Sequence, residues 1–176
     1  MYPLDPDQSE IDLGDIAHAL SNICRFTGHC SRFYSVARHS LLVSYLAERH
    51  GIEFARVGLM HDATEAYLCD VARPIKDQDG FSAYRVAETR LWVHICLRFS
   101  LDAICLPGEV REIDERIVTN EAIAFMPCIP EGWQLRPAFT DAEMAVVPPE
   151  FSLYREEYPA VTRQLFLKRA AELGVA

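Results

Sequence analysis

The sequence predicts an all-α, single-domain helical bundle, and three observations carry that prediction. Apolar residues recur at steps of three and four almost throughout, the spacing that lines one face of a helix. No run of alternating strands is visible, and no strand leads into a GxGxxG or GxxxxGK[ST] turn. Half of the 176 residues are apolar and 24% are charged, without repeats or low-complexity tracts, a composition that buries one core of its own.

The elements follow in order. Residues 11–23 carry Ile16, Leu20 and Ile23 at helical spacing, with Asp12 or Asp15 as the cap. A loop holding Gly28 and mixed aromatic and basic residues leads to a second helix, capped by Ser35 and running to about residue 50. Val36, His39, Val43, Leu46 and Ala47 lie along one side of it, and Gly51 is its stop. A third helix over about 53–68 puts His61 and Glu65 on one face, with Asp62 flanking them; Pro74 prevents simple continuation.

A fourth helix, about 82–99, carries a stripe of Tyr84, Glu88, Leu91, Trp92, Ile95 and Phe99. Pro107 opens a fifth in the favoured first-turn position, followed by Val110, Ile113, Asp114, Ile117, Val118 and Phe125. Residues 127–139 read as a long loop containing prolines and a tryptophan. Thr140 and Glu143 form a capping-box pattern for a short helix that Pro148 and Pro149 end. A last helix over about 159–173 offers Val161, Leu165 and Leu167 for burial.

Charge and composition exclude several classes. A formal charge of −9 without a basic stripe argues against a nucleic-acid polymer as partner. The apolar runs are too short to span a membrane, and the acidic N-terminus lacks the basic and apolar regions of a secretory signal. The six cysteines are scattered with no CxxC pair, which suits reduced thiols and a cytoplasmic location. Arg25, Arg32, Arg38, Arg73 and Lys76 all lie near residues 59–76 in the sequence. A phosphate bound by so acidic a body must be small and locally paired.

The adjacent His61 and Asp62 are weak evidence alone. Context adds His39 and Asp114, so that two imidazoles and two carboxylates project from three helices at core-facing or core-edge positions, where a bundle can bring them to one point. Two nitrogen and two oxygen donors suit manganese, cobalt, zinc or iron better than calcium. The alternative is structural: a hydrogen-bonded His39 and a buried salt bridge at Asp114. Glu65, otherwise a solvated helix carboxylate, could orient or deprotonate a water, with Asp70 holding that water or protonating a leaving alkoxide. Arg25 and Lys76 would serve as phosphate donors. His18, His50 and His94 read as ordinary core or surface histidines, and His29 is undecided.

At these residues the chain resembles the HD superfamily of metal-dependent phosphohydrolases, whose pattern H…HD…D matches His39, His61-Asp62 and Asp114. It is more closely similar to small bacterial 5′-deoxynucleotidases and to phage deoxynucleoside triphosphate triphosphohydrolases, including those that destroy dATP. There the HD pair is followed by A-[ST]-E and an Asp five residues later, as in Ala63-Thr64-Glu65 and Asp70. An Arg-aromatic pair precedes the first histidine, here Arg25-Phe26, and a Pro-x-Lys follows, here Pro74-Ile75-Lys76. The resemblance runs over about 16–121, within an HD-type core at 11–126 that a C-terminal extension, 127–176, completes.

The resemblance implies that His39, His61, Asp62 and Asp114 bind a divalent transition metal (Mn, Co, Zn or Fe), with Mg accompanying a triphosphate substrate. Glu65 and Asp70 would manage water and leaving group, and Arg25 would orient the phosphate. Phe26 would wall the sugar and disfavour a 2′-hydroxyl, Gly28 would leave room near the base, and Arg73, Pro74 and Lys76 would complete the substrate site. The implied activity is cleavage of the 5′ phosphoester of a deoxynucleotide, releasing phosphate from a dNMP or triphosphate from a dNTP. The choice depends on cations beyond the first phosphate, which Arg32, Arg38 and Arg73 could supply. The expected partner is a small-molecule deoxynucleotide, with neither nucleic-acid polymer nor membrane, and the expected assembly is a homo-oligomer. Rival readings are a non-catalytic nucleotide-binding regulator on the same scaffold, a bundle with a structural metal, and a two-iron oxygenase, for which His29 is the nearby extra ligand.

Overall fold

The computed structural model describes residues 2–175. Local signals start its first two long helices: in α1 (Leu13–Asn22) the Asp12 carboxylate accepts the amide of Asp15 at 3.0 Å. In α2 (Val36–Ala47) the Ser35 hydroxyl accepts the amide of Arg38 at 3.1 Å. Each cap satisfies a backbone donor that the first helical turn leaves orphaned. α2 passes into a 3-10 turn, Glu48–His50, and stops at Gly51, whose φ of 129° suits glycine.

There follow α3 (Ile52–Met60), α4 (Glu65–Leu68), α5 (Arg73–Lys76), α6 (Ser82–Arg98), α7 (Gly108–Phe125), α8 (Asp141–Met144) and α9 (Pro159–Glu172). The capping box of Thr140 and Glu143 is present. Among the described residues, strand-like pairing is limited to one isolated bridge, Cys24 with Ser35. No helix there is long and apolar enough to cross a membrane. The chain is an all-α, single-domain bundle.

α2 is its axis. Every residue of α2 except Tyr45 is buried, whereas the sequence pattern assigns it one apolar side. α3, α7, α1 and α9 all pack on it. A helix buried all round must satisfy its polar side chains inside the protein. Ser40 therefore donates to the Val36 carbonyl at 3.0 Å, and Ser44 reaches across to the Ala55 carbonyl at 3.0 Å. The second of these contacts is possible because Gly58 lets α3 approach closely: a Cβ there would lie 3.2 Å from the Ser44 Cα.

Other boundaries move for identifiable reasons. Pro107 is the N-cap of α7, one place before the first turn. Residues 73–76, expected to follow a helix end, form a short helix with Pro74 at its start. On α9 the buried residues are Thr162, Phe166, Arg169 and Ala170, while Val161 is 50% exposed and Leu165 and Leu167 are only partly buried. Arg169 orients that face: it donates to Ser44 at 3.1 Å and to Glu48 at 2.8 Å. The segment after residue 126 belongs to the same core, to which it contributes Phe139, Phe151, Leu153, Phe166 and Leu173.

Candidate metal centre and cleft

The expected helix over 53–68 is interrupted at its functional residues. α3 ends at Met60 and α4 resumes at Glu65, with turns between. The cause is local: the Nδ1–H of His61 donates to the Gly58 carbonyl at 2.8 Å, an acceptor that an unbroken helix would offer to the Asp62 amide. The chain tightens to i→i+3 bonds, with Glu65 N donating to Asp62 O at 3.0 Å and Ala63 N to Met60 O at 2.8 Å. At that pitch residues three apart eclipse one another, so Asp62 and Glu65 both face the same cleft.

His39, His61 and Asp62 place donor atoms within 4.8 Å of one another, a group that could hold a metal ion. His39 Nε2 lies 3.2 Å from His61 Nε2 and 3.1 Å from Asp114 Oδ1. Asp62 oxygens lie 3.4 Å from His61 Nε2 and 3.6 Å from His39 Nε2, and Asp114 Oδ1 is 3.9 Å from His61 Nε2. Four ligands at metal bonds of about 2.1 Å are separated by about 3.0–3.4 Å, so the donor set fits a small cation. The tautomers fit as well. The Gly58 carbonyl can only accept, so His61 carries its proton on Nδ1. His39 Nδ1 faces the Glu121 carboxylate at 2.6 Å and donates to it. With Nδ1 of each ring so engaged, the two Nε2 atoms face each other at 3.2 Å beside two carboxylates, an arrangement that needs positive charge, whether as ring protons or as an ion between them.

The protonation equilibria carry the same demand. Burial and the neighbouring Arg25 oppose charge on His39, yet Glu121 and Asp114 outweigh them and push its pKa up to about 9. Burial also opposes ionisation of Asp114, but its bonds to His39 and His61 hold it well below the usual carboxylate range. Glu121 is driven the same way, down to about 2, because Arg25 and His39 outweigh its burial.

Above these donors opens a cleft of about 1200 Å³, lined by Arg25, Phe26, Asp62, Glu65, Asp70 and Asp114, with Arg73, Pro74 and Lys76 at its edge. Glu65 is 7% exposed, and its Oε2 is buried with no hydrogen-bond partner. Such an atom is costly unless a water or ligand completes it. Burial, then the charges of Asp62 and Asp70, raise its pKa well above the ordinary value. Asp70 is raised too, chiefly by burial. A positive φ of 68° at Cys69 turns the chain back after α4, and Tyr84 fixes that turn by donating to the Cys69 carbonyl at 2.8 Å. Asp70 thereby reaches the cleft.

The basic residues divide. Arg25 lines the cleft and braces its floor, 3.5 Å from Asp62 and 3.2 Å from Glu121. Lys76 lines it with Nζ tied to Glu88 at 2.6 Å, and Arg73 reaches Asp114 at 3.4 Å. Arg32 and Arg38, expected as further phosphate cations, turn away. Arg32 donates to the carbonyls of Leu153 and Tyr154, and Arg38 to those of Ser152 and Arg155. α2 is buried on all sides, so Arg38 satisfies its charge inside the protein. Gly28 also departs from expectation. It is not among the cleft-lining residues, and its φ of 80° in the strained run Phe26–Gly28 accounts for the glycine.

Glu121 escapes the sequence reading. It is fully buried, accepts from Tyr34 at 2.7 Å as well as from His39, and so fixes the imidazole that faces the site. Its signal is a carboxylate on the stripe of Val110, Ile113 and Ile117, two turns beyond Asp114. Trp133 and neighbouring residues of the loop after α7 form the remaining wall.

No protein-family model matches the chain. Over 70 residues, 40% of its length, it is 54% identical to the uncharacterized protein YfdR of Escherichia coli (strain K12). Over 114 residues, 61% of its length, it is 38% identical to the uncharacterized protein RCAP_rcc00048 of Rhodobacter capsulatus. The matched stretches span 38% and 57% of those relatives' lengths.

Proposed function

We propose that the chain is a metal-dependent phosphohydrolase that cleaves the 5′ phosphoester of deoxynucleotides, as the HD phosphohydrolases it resembles do. The observation that carries this reading is the meeting of His39, His61, Asp62 and Asp114 beneath a cleft that also holds cations and an unpartnered buried carboxyl. His39 and His61 through Nε2, with Asp62 and Asp114 through carboxylate oxygens, would hold a divalent transition metal such as Mn, Co, Zn or Fe. When bound, that ion supplies acidity to a water and offsets charge on phosphoryl oxygens.

The remaining steps belong to the chain's own residues. Arg25 presents its guanidinium to the phosphoryl oxygens, with Lys76 a second positive charge at the edge. Glu65, buried and with a raised pKa, accepts the proton of the attacking water as the new P–O bond forms. The bond from phosphorus to the 5′ oxygen breaks, and Asp70 gives its proton to that oxygen. With Arg32 and Arg38 turned away, few cations remain beyond the first phosphate, and this favours a monophosphate substrate releasing orthophosphate.

The test incubates protein loaded separately with Mn, Co and Zn with deoxynucleoside mono- and triphosphates, resolving orthophosphate from triphosphate by chromatography. Orthophosphate from monophosphates is expected; no cleavage with any metal would overturn the proposal. Asp62→Ala should lose both metal and turnover, and Glu65→Ala should keep metal while turnover falls at least about 100-fold.

A further inference from the structure

The loop at 127–139 carries none of the HD pattern, yet it builds one wall of the cleft. Its second half is fastened to the outer side of α7. Arg136 donates to Glu115 at 3.0 Å, and Thr119 donates to the Arg136 carbonyl at 2.6 Å. Arg116 donates to the Pro137 carbonyl at 3.2 Å, and its guanidinium lies 3.9 Å over the Phe139 ring. Asn120 exchanges two hydrogen bonds with the Phe139 backbone, at 2.8 and 2.9 Å. The helix that brings Asp114 to the floor therefore positions this wall as well.

The free half of the loop ends over the cleft. Gly132 takes a φ of 91°, which L side chains rarely adopt, and the turn presents Trp133. That indole remains 38% exposed. Its ring centroid lies 6.2 Å from that of Phe26 with the planes 27° apart. Phe26 itself is held at a positive φ of 54°, a strained conformation for a non-glycine residue that clusters at ligand sites. Two segments remote in sequence thus place near-parallel aromatic faces at one mouth of a site whose floor carries the metal donors.

We infer that Trp133, braced by Phe26 on the side expected to wall the sugar, offers the face on which the nucleobase of the substrate stacks. This rests on the proposed nucleotide activity and adds what recognises the end of the substrate away from the phosphate. Aromatic faces bind bases without hydrogen-bond readout, and loss of a single such stack weakens binding about 10-fold. A tryptophan left exposed at the cleft mouth, three residues before a stretch fastened by side-chain hydrogen bonds and packed against Phe26, supplies that face at a reduced ordering cost.

Two measurements test it. Deoxyadenosine 5′-monophosphate should quench tryptophan emission of the Zn-loaded Glu65→Gln protein, while deoxyribose 5-phosphate should not. The change should vanish in the added variant Trp133→Phe, whose only tryptophan is then Trp92, 9% exposed and bonded to the Ala103 carbonyl. In the active protein, Trp133→Ala should shrink the preference in kcat/KM for deoxyadenosine 5′-monophosphate over deoxyribose 5-phosphate about 10-fold, mainly through KM, and Trp133→Phe should restore most of it. An unchanged preference, or emission unmoved by the nucleotide, overturns the inference while leaving hydrolysis intact. If neither phosphoester is cleaved, the proposed function fails instead, and the emission titration still decides the stack.

Discussion

Two buried arginine–glutamate pairs of the same composition flank α2 and do opposite work. Arg38 lies 3.9 Å from Glu157, which also accepts the Ser35 amide at 2.9 Å, and the pair closes on backbone carbonyls of the C-terminal segment. Arg25, which lines the cleft, lies 3.2 Å from Glu121, which is shared with His39 and Tyr34. Their electrostatics diverge accordingly. Burial pushes the Glu157 carboxyl up against its bonds to Ser35, whereas two cationic neighbours, Arg25 and His39, hold Glu121 down at about 2 despite its burial. A buried ion pair is therefore no sign of function by itself. What decides is which third group its carboxylate serves: the α2 cap at Ser35 in one case, an imidazole among donors that could hold a metal ion in the other.

The comparison can be broken from either side. The largest effect is expected from Arg38→Ala, which leaves Glu157 buried without its cation and should cost about 3–5 kcal/mol of stability by urea unfolding. Metal affinity of the folded fraction should stay the same; a loss of metal there would show that this pair also serves the site. Glu121→Gln keeps an oxygen for His39 and Tyr34 but removes the charge. It should raise the metal dissociation constant about 10–100-fold, read by competition with a chelator, and a value equal to the parent protein would reduce Glu121 to a packing group.

The smallest effect sharpens the contrast with a carboxylate only partly withdrawn from solvent. The backbone and side-chain hydrogen bonds of Thr140, and then Arg116, lower Glu143 to about 2. Because the folded value lies below the unfolded one of about 4.5, its contribution is fully present above pH 4.5 and disappears as pH falls through about 2. Thermal midpoints of Glu143→Gln and the parent should therefore differ near neutrality and converge toward pH 2. A difference that persists there would assign the effect to something other than charge.

Much of the site's floor is legible in the sequence because its residues break local rules. Imidazoles and carboxylates at core-edge helix positions need partners, and His39, His61, Asp62 and Asp114 do meet. Glu121 breaks the same rule, two turns after Asp114, and could be found by the same logic. The cations were not legible in this way. Closeness to residues 59–76 along the chain says nothing about direction, and Arg32 and Arg38 turn to the carbonyls of 152–155. Nor could periodicity reveal the break at His61, since it follows from one side chain taking the Gly58 carbonyl.

By itself the sequence determined the helical class, the caps at Ser35 and Thr140, a first cap at Asp12 or Asp15, and the stop at Gly51, because each depends on groups within a few residues of one another. Only the tertiary structure decided which face of α9 is buried, which arginines reach the cleft, and that Trp133 stands against Phe26. Those outcomes are set by packing between distant segments. A buried charge or an aromatic face takes whichever partner the fold brings near, and no local pattern records that choice.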